Sequence, residues 1–214
     1  MKNILVICAH PDDEAFGAGG TVAKYAGEGY RVDVVIFSYG EQSHPWLKKH
    51  FVVKTRIAES KEAGKVLKTR SLLFFGLREG HFQEDAIKES VYGRIAGIIR
   101  QKKPLKIFTH SIDDPHPDHK IVHEVVLDSL KKSKHKCDVY TFDIWNPANI
   151  GKRKSPRLYV DISKTFGRKI EALKCFKSQT INAMVPLLWS VYTRAITNGI
   201  KNRTKFAEVF YKVK

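Results

Sequence analysis

Strand-length apolar runs alternate with helix-period segments along most of the chain, and this alternation constrains the fold more than any other feature. The first run, NILVIC (3–8), is continuous and rich in β-branched residues, as expected for a strand buried on both faces. EAFGAGGTVAKYAGEG has the character of a glycine-rich helix, and YRVDVVIFS (30–38) reads as the next strand. Strand, helix and strand in that order predict a parallel pair with a right-handed crossover. The alternation continues. Val53, Ile57, Ser60, Gly64 and Leu67 share a helical face before the short strand SLLFFG. Ile87, Val91, Ile95 and Ile98 mark a helix before the strand LKIFTH. Ile121, Val122, Val125, Val126 and Leu130 mark another before CDVYTFDI. RLYVDI (157–162) is a sixth strand candidate, and Phe166, Ile170 and Leu173 face one way on the helix after it. The expected fold is α/β: a Rossmann-like open, mostly parallel sheet with helices on both faces. Residues 1–214 are read as a single domain, with a basic segment from about 178 folded back over the sheet.

Composition narrows the function classes. No apolar run is long enough to span a bilayer, and KNILVIC runs into charged residues without a cleavage-like tail, so a cytoplasmic protein is expected. Cys8, Cys137 and Cys175 lie far apart with no CxxC pair, as reduced thiols serving as small hydrophobes do. The net charge of +16 is uneven: residues 150–214 hold 15 basic and 3 acidic residues, residues 1–149 hold 23 and 19. The basic C-terminal third suits peripheral contact with an anionic surface, or simply forms a solvated basic face. No aromatic-interleaved basic pattern or zinc-finger spacing argues for nucleic acid.

Two stretches crowd histidine with aspartate. AHPDDE (9–14) follows the first strand and leads into a helix; THSIDDPHPDHK (109–120) follows a later strand and precedes another helix. In open α/β sheets ligands collect beyond the carboxyl ends of the strands, so the two turns can converge on one site. Helix capping by Asp12 or Asp13 explains one carboxylate, with roughly 0.3–1 kcal/mol from the helix dipole. It does not explain His10 or a second aspartate. Imidazole nitrogen and carboxylate oxygen are ligands that suit zinc, and three of them with an open water position are usual in hydrolytic sites. His10, Asp13 and His119 are the expected ligands. Asp12, adjacent but unligated, is placed to take a proton from water. His116 lies about one turn before His119, where Asp118 could fix its tautomer or hold it as imidazolium. GAGG (17–20) lies inside the helix, too late for a dinucleotide fingerprint.

AHPDDE and HPDH, with YGEQ, RIAESKEAGKVL and KIEALKCFKSQ, resemble the LmbE/PIG-L family of zinc-dependent N-acetylglucosaminyl deacetylases over most of the chain. The resemblance implies Zn2+ on His10, Asp13 and His119, Asp12 as general base, and His116 as electrophilic or acid partner oriented by Asp118. It implies that Arg56 contacts substrate hydroxyls. Glu79, in LREG, stands where family members often carry the aspartate of a Leu-Pro-Asp-Gly turn. Asp114 and Pro115 stand where some carry Tyr-Gly. Glu79 and Asp114 are therefore the remaining substrate-binding positions. The expected partner is a small N-acetyl sugar or glycoconjugate, from which metal-activated water removes acetyl; a homo-oligomer is compatible with this. The alternatives are an amidase on a larger N-acyl conjugate, with Trp46 of the rim loop SYGEQSHPWLKKH (38–50) stacking on substrate, and a metal-stabilised Rossmann-like protein binding an anionic partner.

Overall fold

The computed structural model describes residues 2–146, 155–181 and 185–213. Seven strands form one sheet in the order β3-β2-β1-β4-β5-β7-β6: β1 (Asn3–Cys8), β2 (Arg31–Ile36), β3 (Ser71–Phe74), β4 (Lys106–His110), β5 (Asp138–Phe142), β6 (Arg157–Asp161) and β7 (Ala207–Lys212). The first five are mutually parallel, and β7 runs antiparallel to both β5 and β6. The expected α/β class, with a mostly parallel sheet, is the one observed.

Helices cover both faces because successive residues of a strand point to opposite sides. Ile4, Val6 and Cys8 of β1 join a core built with α1 (Asp13–Gly27), α2 (Lys49–Leu67), α6 (Phe166–Lys174) and α7 (Val185–Lys201). Leu5 and Ile7 join a second core with α3 (Phe82–Lys88), α4 (Val91–Lys102) and α5 (Pro117–Ser133). The glycines of α1 let it lie close to the sheet: a Cβ at Gly20 would come within 2.7 Å of Ile162, and one at Gly17 would overlap the Phe142 ring. The GAGG run is thus a packing feature.

Three expectations need revision. The chain after 178 contributes β7 to the interior of the sheet, between β5 and β6, rather than only folding over it. Its signal is weak because one strand, AEVFYK, stands alone beyond a helix. The helix marked by Ile87 to Ile98 is two helices, broken at Ser90 (φ 53°), and Ile87 is exposed. Ser60, Gly64 and Leu67 face inward on α2 as expected, but in its first turns the buried positions are Val52 and Arg56 rather than Val53 and Ile57, because a buried arginine claims part of the face. Among the described residues, no helix is long and apolar enough to cross a membrane.

Asp33 of β2 anchors the opposite end of the strands. It accepts two hydrogen bonds from Arg70, at 2.9 Å each, and one from Ser71, with Lys102 at 3.5 Å. Burial opposes the anion, but these partners hold its carboxyl below the usual range. A depressed carboxyl contributes stability above its unfolded value of about 3.9 and loses it as pH falls through the folded value. The melting-temperature gap between wild type and Asp33→Asn is therefore expected to be widest near neutrality and to close below about pH 4.

Candidate active site

The chain order reverses between β1 and β4: β2 and β3 lie on one side of β1, while β4 and β5 lie on the other. Ligands favour the carboxyl edge at such a switch point. Ile7 stands opposite Thr109, so the residues leaving β1 and the end of β4 emerge side by side. The Ala9 N–H donates to His110 Nε2 at 3.0 Å, which ties the two strand ends together.

The first turn is shaped around its carboxylates. Asp13 accepts a hydrogen bond from the His10 N–H (2.8 Å), and Glu14 accepts one from the Asp12 N–H (3.1 Å). Asp12 occupies the N-cap position of α1 with φ 104°, a conformation that costs a non-glycine residue about 1–3 kcal/mol. Its carboxylate does not cap the helix. It meets the Arg56 guanidinium at 3.2–3.3 Å, and Arg56 also donates to the Pro11 carbonyl. Burial pushes the Asp12 carboxyl up to about 7 against the pull of Arg56.

His10, Asp13 and His119 present one donor atom each within 4.8 Å of one another. His10 Nδ1 and His119 Nε2 both face Asp13 Oδ2 at 3.5 Å. The far nitrogen of each ring meets a carboxylate: His10 Nε2 lies 3.2 Å from Asp118, and His119 Nδ1 lies 3.0 Å from Asp114. Carboxylate–histidine pairs of this kind orient metal ligands. Among the described residues His119 Nε2 is buried without a hydrogen-bond partner, so this inward nitrogen is left for a ligand to satisfy. The charge balance also favours a cation. Burial disfavours a charged His10, yet Asp118 and Asp13 raise it to about 10. Burial would raise Asp13, but the surrounding imidazoles hold it well below the carboxylate range. Two imidazole nitrogens and a carboxylate oxygen fit a divalent metal with an open coordination position.

His116 is the N-cap of α5, and its Nδ1 accepts the Asp118 N–H at 3.2 Å. An accepting Nδ1 leaves the proton of the neutral ring on Nε2. Burial, and then the charge of His10, lower its pKa, so of the two expected states, a fixed neutral tautomer or an imidazolium, the neutral ring is favoured. The expected role of Asp118 changes accordingly: its backbone fixes His116, while its carboxylate holds His10 and accepts the Gly80 N–H.

His10, Asp12, Asp13, His116 and Asp118 line a cleft of about 360 Å³ with Arg56, Glu79, Gln42, Trp145, Gln179 and Leu187. Glu79 accepts hydrogen bonds from Gln42 and Ser38 at the cleft wall. Asp114 is fully buried, facing His119 and accepting the Ile144 N–H (2.7 Å) and the Trp145 N–H (3.2 Å). It is out of reach of a substrate, which corrects its assignment as a binding residue. Burial opposes its charge, but His119 and the N–H groups of Ile144 and His116 hold it down to about 2. Arg56 is also buried, its guanidinium engaged with Asp12 instead of free for substrate hydroxyls. Trp46 packs against His44 outside the cleft, and Trp145 supplies the aromatic wall. Trp145 escapes the sequence reading, and His110 stays undecided in it. Trp145 follows β5 at the same sheet edge, a signal available by extending the strand-end rule one strand further. His110 ends β4, stacks on His119 with centroids 3.8 Å apart, and lies 3.1 Å from Asp13. If Asp114 holds His119 in register, Asp114→Asn weakens metal binding by about 10–100-fold, measurable by competition with a chromophoric chelator.

The fold and cleft define an α/β protein with a His–Asp donor cluster suited to a metal at the sheet's switch point. More specifically, the chain belongs to the PIG-L family: the family model described as GlcNAc-PI de-N-acetylase matches residues 5–130. It is 28% identical over 221 residues to the 4-oxalmesaconate hydratase of Pseudomonas putida, covering 94% of this chain and 81% of that one. It is 26% identical over 192 residues to a probable N-acetyl-alpha-D-glucosaminyl L-malate deacetylase 2 of Bacillus cereus, covering 84% of each. The crystal structure of a 4-carboxy-2-hydroxymuconate hydratase from P. putida superposes with a TM-score of 0.84 at 23% identity, covering 100% of this chain and 97% of that one.

Proposed function

We propose that this protein is a zinc-dependent hydrolase that removes the acetyl group from an N-acetylglucosamine-containing substrate. The observation that carries the reading is one cleft in which a His–Asp–His donor set adjoins a carboxylate, Asp12, left out of that set. His10, Asp13 and His119 would hold the ion, which when bound supplies a Lewis acid and a water acidified toward neutral pH. Asp12, held in its strained turn by Arg56, takes the proton from the attacking water. The Nε2–H of His116 donates to the carbonyl oxygen as negative charge develops on it. With Nδ1 engaged by the Asp118 N–H, His116 is neutral, and a neutral imidazole does not give its remaining proton to an amine. Return of the proton to the departing amine therefore falls to Asp12. Trp145 offers a ring face to the sugar, while Gln42 and Glu79 offer polar groups to its hydroxyls.

The identity to the P. putida hydratase favours a second reading, hydration of a carbon–carbon double bond in an unsaturated carboxylate. The cleft wall argues against it. Among the described residues, Asp12, Asp13, Glu79 and Asp118 line the cleft, and the guanidinium there, Arg56, is engaged by Asp12. Such a surface accepts a neutral polyol more readily than a polyanion, even with a dication at one end. Zinc-loaded protein assayed against N-acetylglucosamine conjugates and against unsaturated carboxylates separates the two. Acetate release from the sugars supports deacetylation; loss of the conjugated chromophore with no acetate overturns it.

A further inference from the structure

The segment that leads from the cleft wall into α2 exposes three large apolar side chains together. Trp46, Leu47 and Phe51 are 72%, 51% and 58% exposed, so more than half of each stands in water. Lysines are interleaved with them: Lys48, Lys49 and Lys54 are all exposed. No aspartate or glutamate occurs from 42 to 58. Lys49 lies 3.6 Å from Glu41, but among the described residues no carboxylate pairs with Lys48, Lys54 or Lys61.

A second feature adjoins this tip. One face of α2 forms an open groove of about 920 Å³ with Tyr39 and Gly76. Its apolar lining comes from Tyr39 and the half-buried Val53 and Ile57, and exposed Lys49, Lys54 and Lys61 line it too. The chemistry of tip and groove separates the partners that could cover them. A second copy of a chain with net charge +16 would bring lysine against lysine. A single-stranded nucleic acid would use the lysines and the rings of Trp46 and Phe51, but Leu47, Val53 and Ile57 offer no face for a base to stack on. An anionic lipid surface uses every part. Its headgroups take the lysines, and the boundary between headgroups and acyl chains takes the aromatic and aliphatic side chains.

We propose that residues 46–61 dock this protein on an anionic phospholipid bilayer. Trp46, Leu47 and Phe51 enter the headgroup–acyl boundary, while Lys48, Lys54 and Lys61 meet lipid phosphates. Gln42 and Ser43, just before this segment, belong to the cleft wall, so docking holds the cleft close to the membrane surface. Docking does not depend on the reaction assigned to the cleft.

Co-sedimentation of the full chain with vesicles tests this, comparing phosphatidylcholine alone with an equimolar mixture of phosphatidylcholine and phosphatidylglycerol. Wild type is expected to pellet with the mixed vesicles only, at about 0.05 M salt, and to be released as salt rises to about 0.5 M. Lys48→Glu/Lys54→Glu is expected to lower the partition coefficient at least about tenfold, with circular dichroism and melting temperature retained. If that pair unfolds, Lys48→Gln/Lys54→Gln replaces it, with a smaller loss expected in the same direction. Lys132→Glu/Lys136→Glu makes the same charge change near the start of β5, at the opposite edge of the sheet, and should lower the coefficient by less than about threefold. Brominated acyl chains should quench the tryptophan fluorescence of wild type and of Trp189→Phe, with the quenching lost in Trp46→Phe. The proposal is overturned if wild type ignores the mixed vesicles at low salt, whether polyuridylate or a second copy then binds this segment instead. Equal losses in the two glutamate pairs, or quenching that persists in Trp46→Phe, would also overturn it.

Discussion

Replacing Asp12 by asparagine is expected to lower kcat for acetate release by roughly two to four orders of magnitude, with bound metal unchanged. Asparagine keeps the shape of the side chain and its place in the strained turn, but cannot carry the proton that aspartate takes from water and returns to the amine. The donor set of His10, Asp13 and His119 does not include it, so metal content serves as an internal control. Some loss of thermal stability accompanies the change, because Arg56 is buried and loses its anionic partner. The variant Arg56→Met separates the two effects: it shares the stability loss and keeps Asp12. An Asp12→Asn enzyme within tenfold of wild-type kcat would contradict the assigned role.

The second large effect is expected at His119. In His119→Ala the inward Nε2 donor is gone, and Asp114 keeps its backbone partners but loses the ring it faces. Metal content measured after gel filtration should fall from one equivalent to near none, and acetate release should fall with it. Added zinc at high concentration should restore little, because the two remaining protein ligands leave an incomplete set. His81→Ala, on an exposed histidine outside the donor set, should retain both metal and activity. Equal metal content in His119→Ala and His81→Ala would remove His119 from the ligand set.

Much of this arrangement was legible in the sequence because it follows local rules. Continuous β-branched runs such as NILVIC announce buried strands, and each strand end fixes where the next turn lies. His10, Asp13 and His119 could be brought together from two strand-to-helix turns without any coordinates. The orientations of their neighbours could not. Whether Asp118 reaches His116 or His10 depends on the capping geometry of α5, where the His116 ring accepts a backbone N–H. Asp114 reads as a substrate-binding position, and only its burial and its contact with the His119 ring reveal that it serves His119. Arg56 is buried on α2 where the apolar pattern favours Val53 and Ile57, so its commitment to Asp12 is a tertiary fact. The strand β7 escaped for a related reason: its place between β5 and β6 is set by long-range antiparallel pairing, with no local crossover to announce it.

The most direct test of the account is a zinc titration of chelator-stripped protein, following acetate release from an N-acetylglucosamine conjugate as the ion is restored. The account predicts no acetate from the stripped protein and a linear rise that ends at one zinc per chain. Acetate released at the full rate without metal, or none released at any zinc loading from any N-acetylglucosamine conjugate tried, would contradict it.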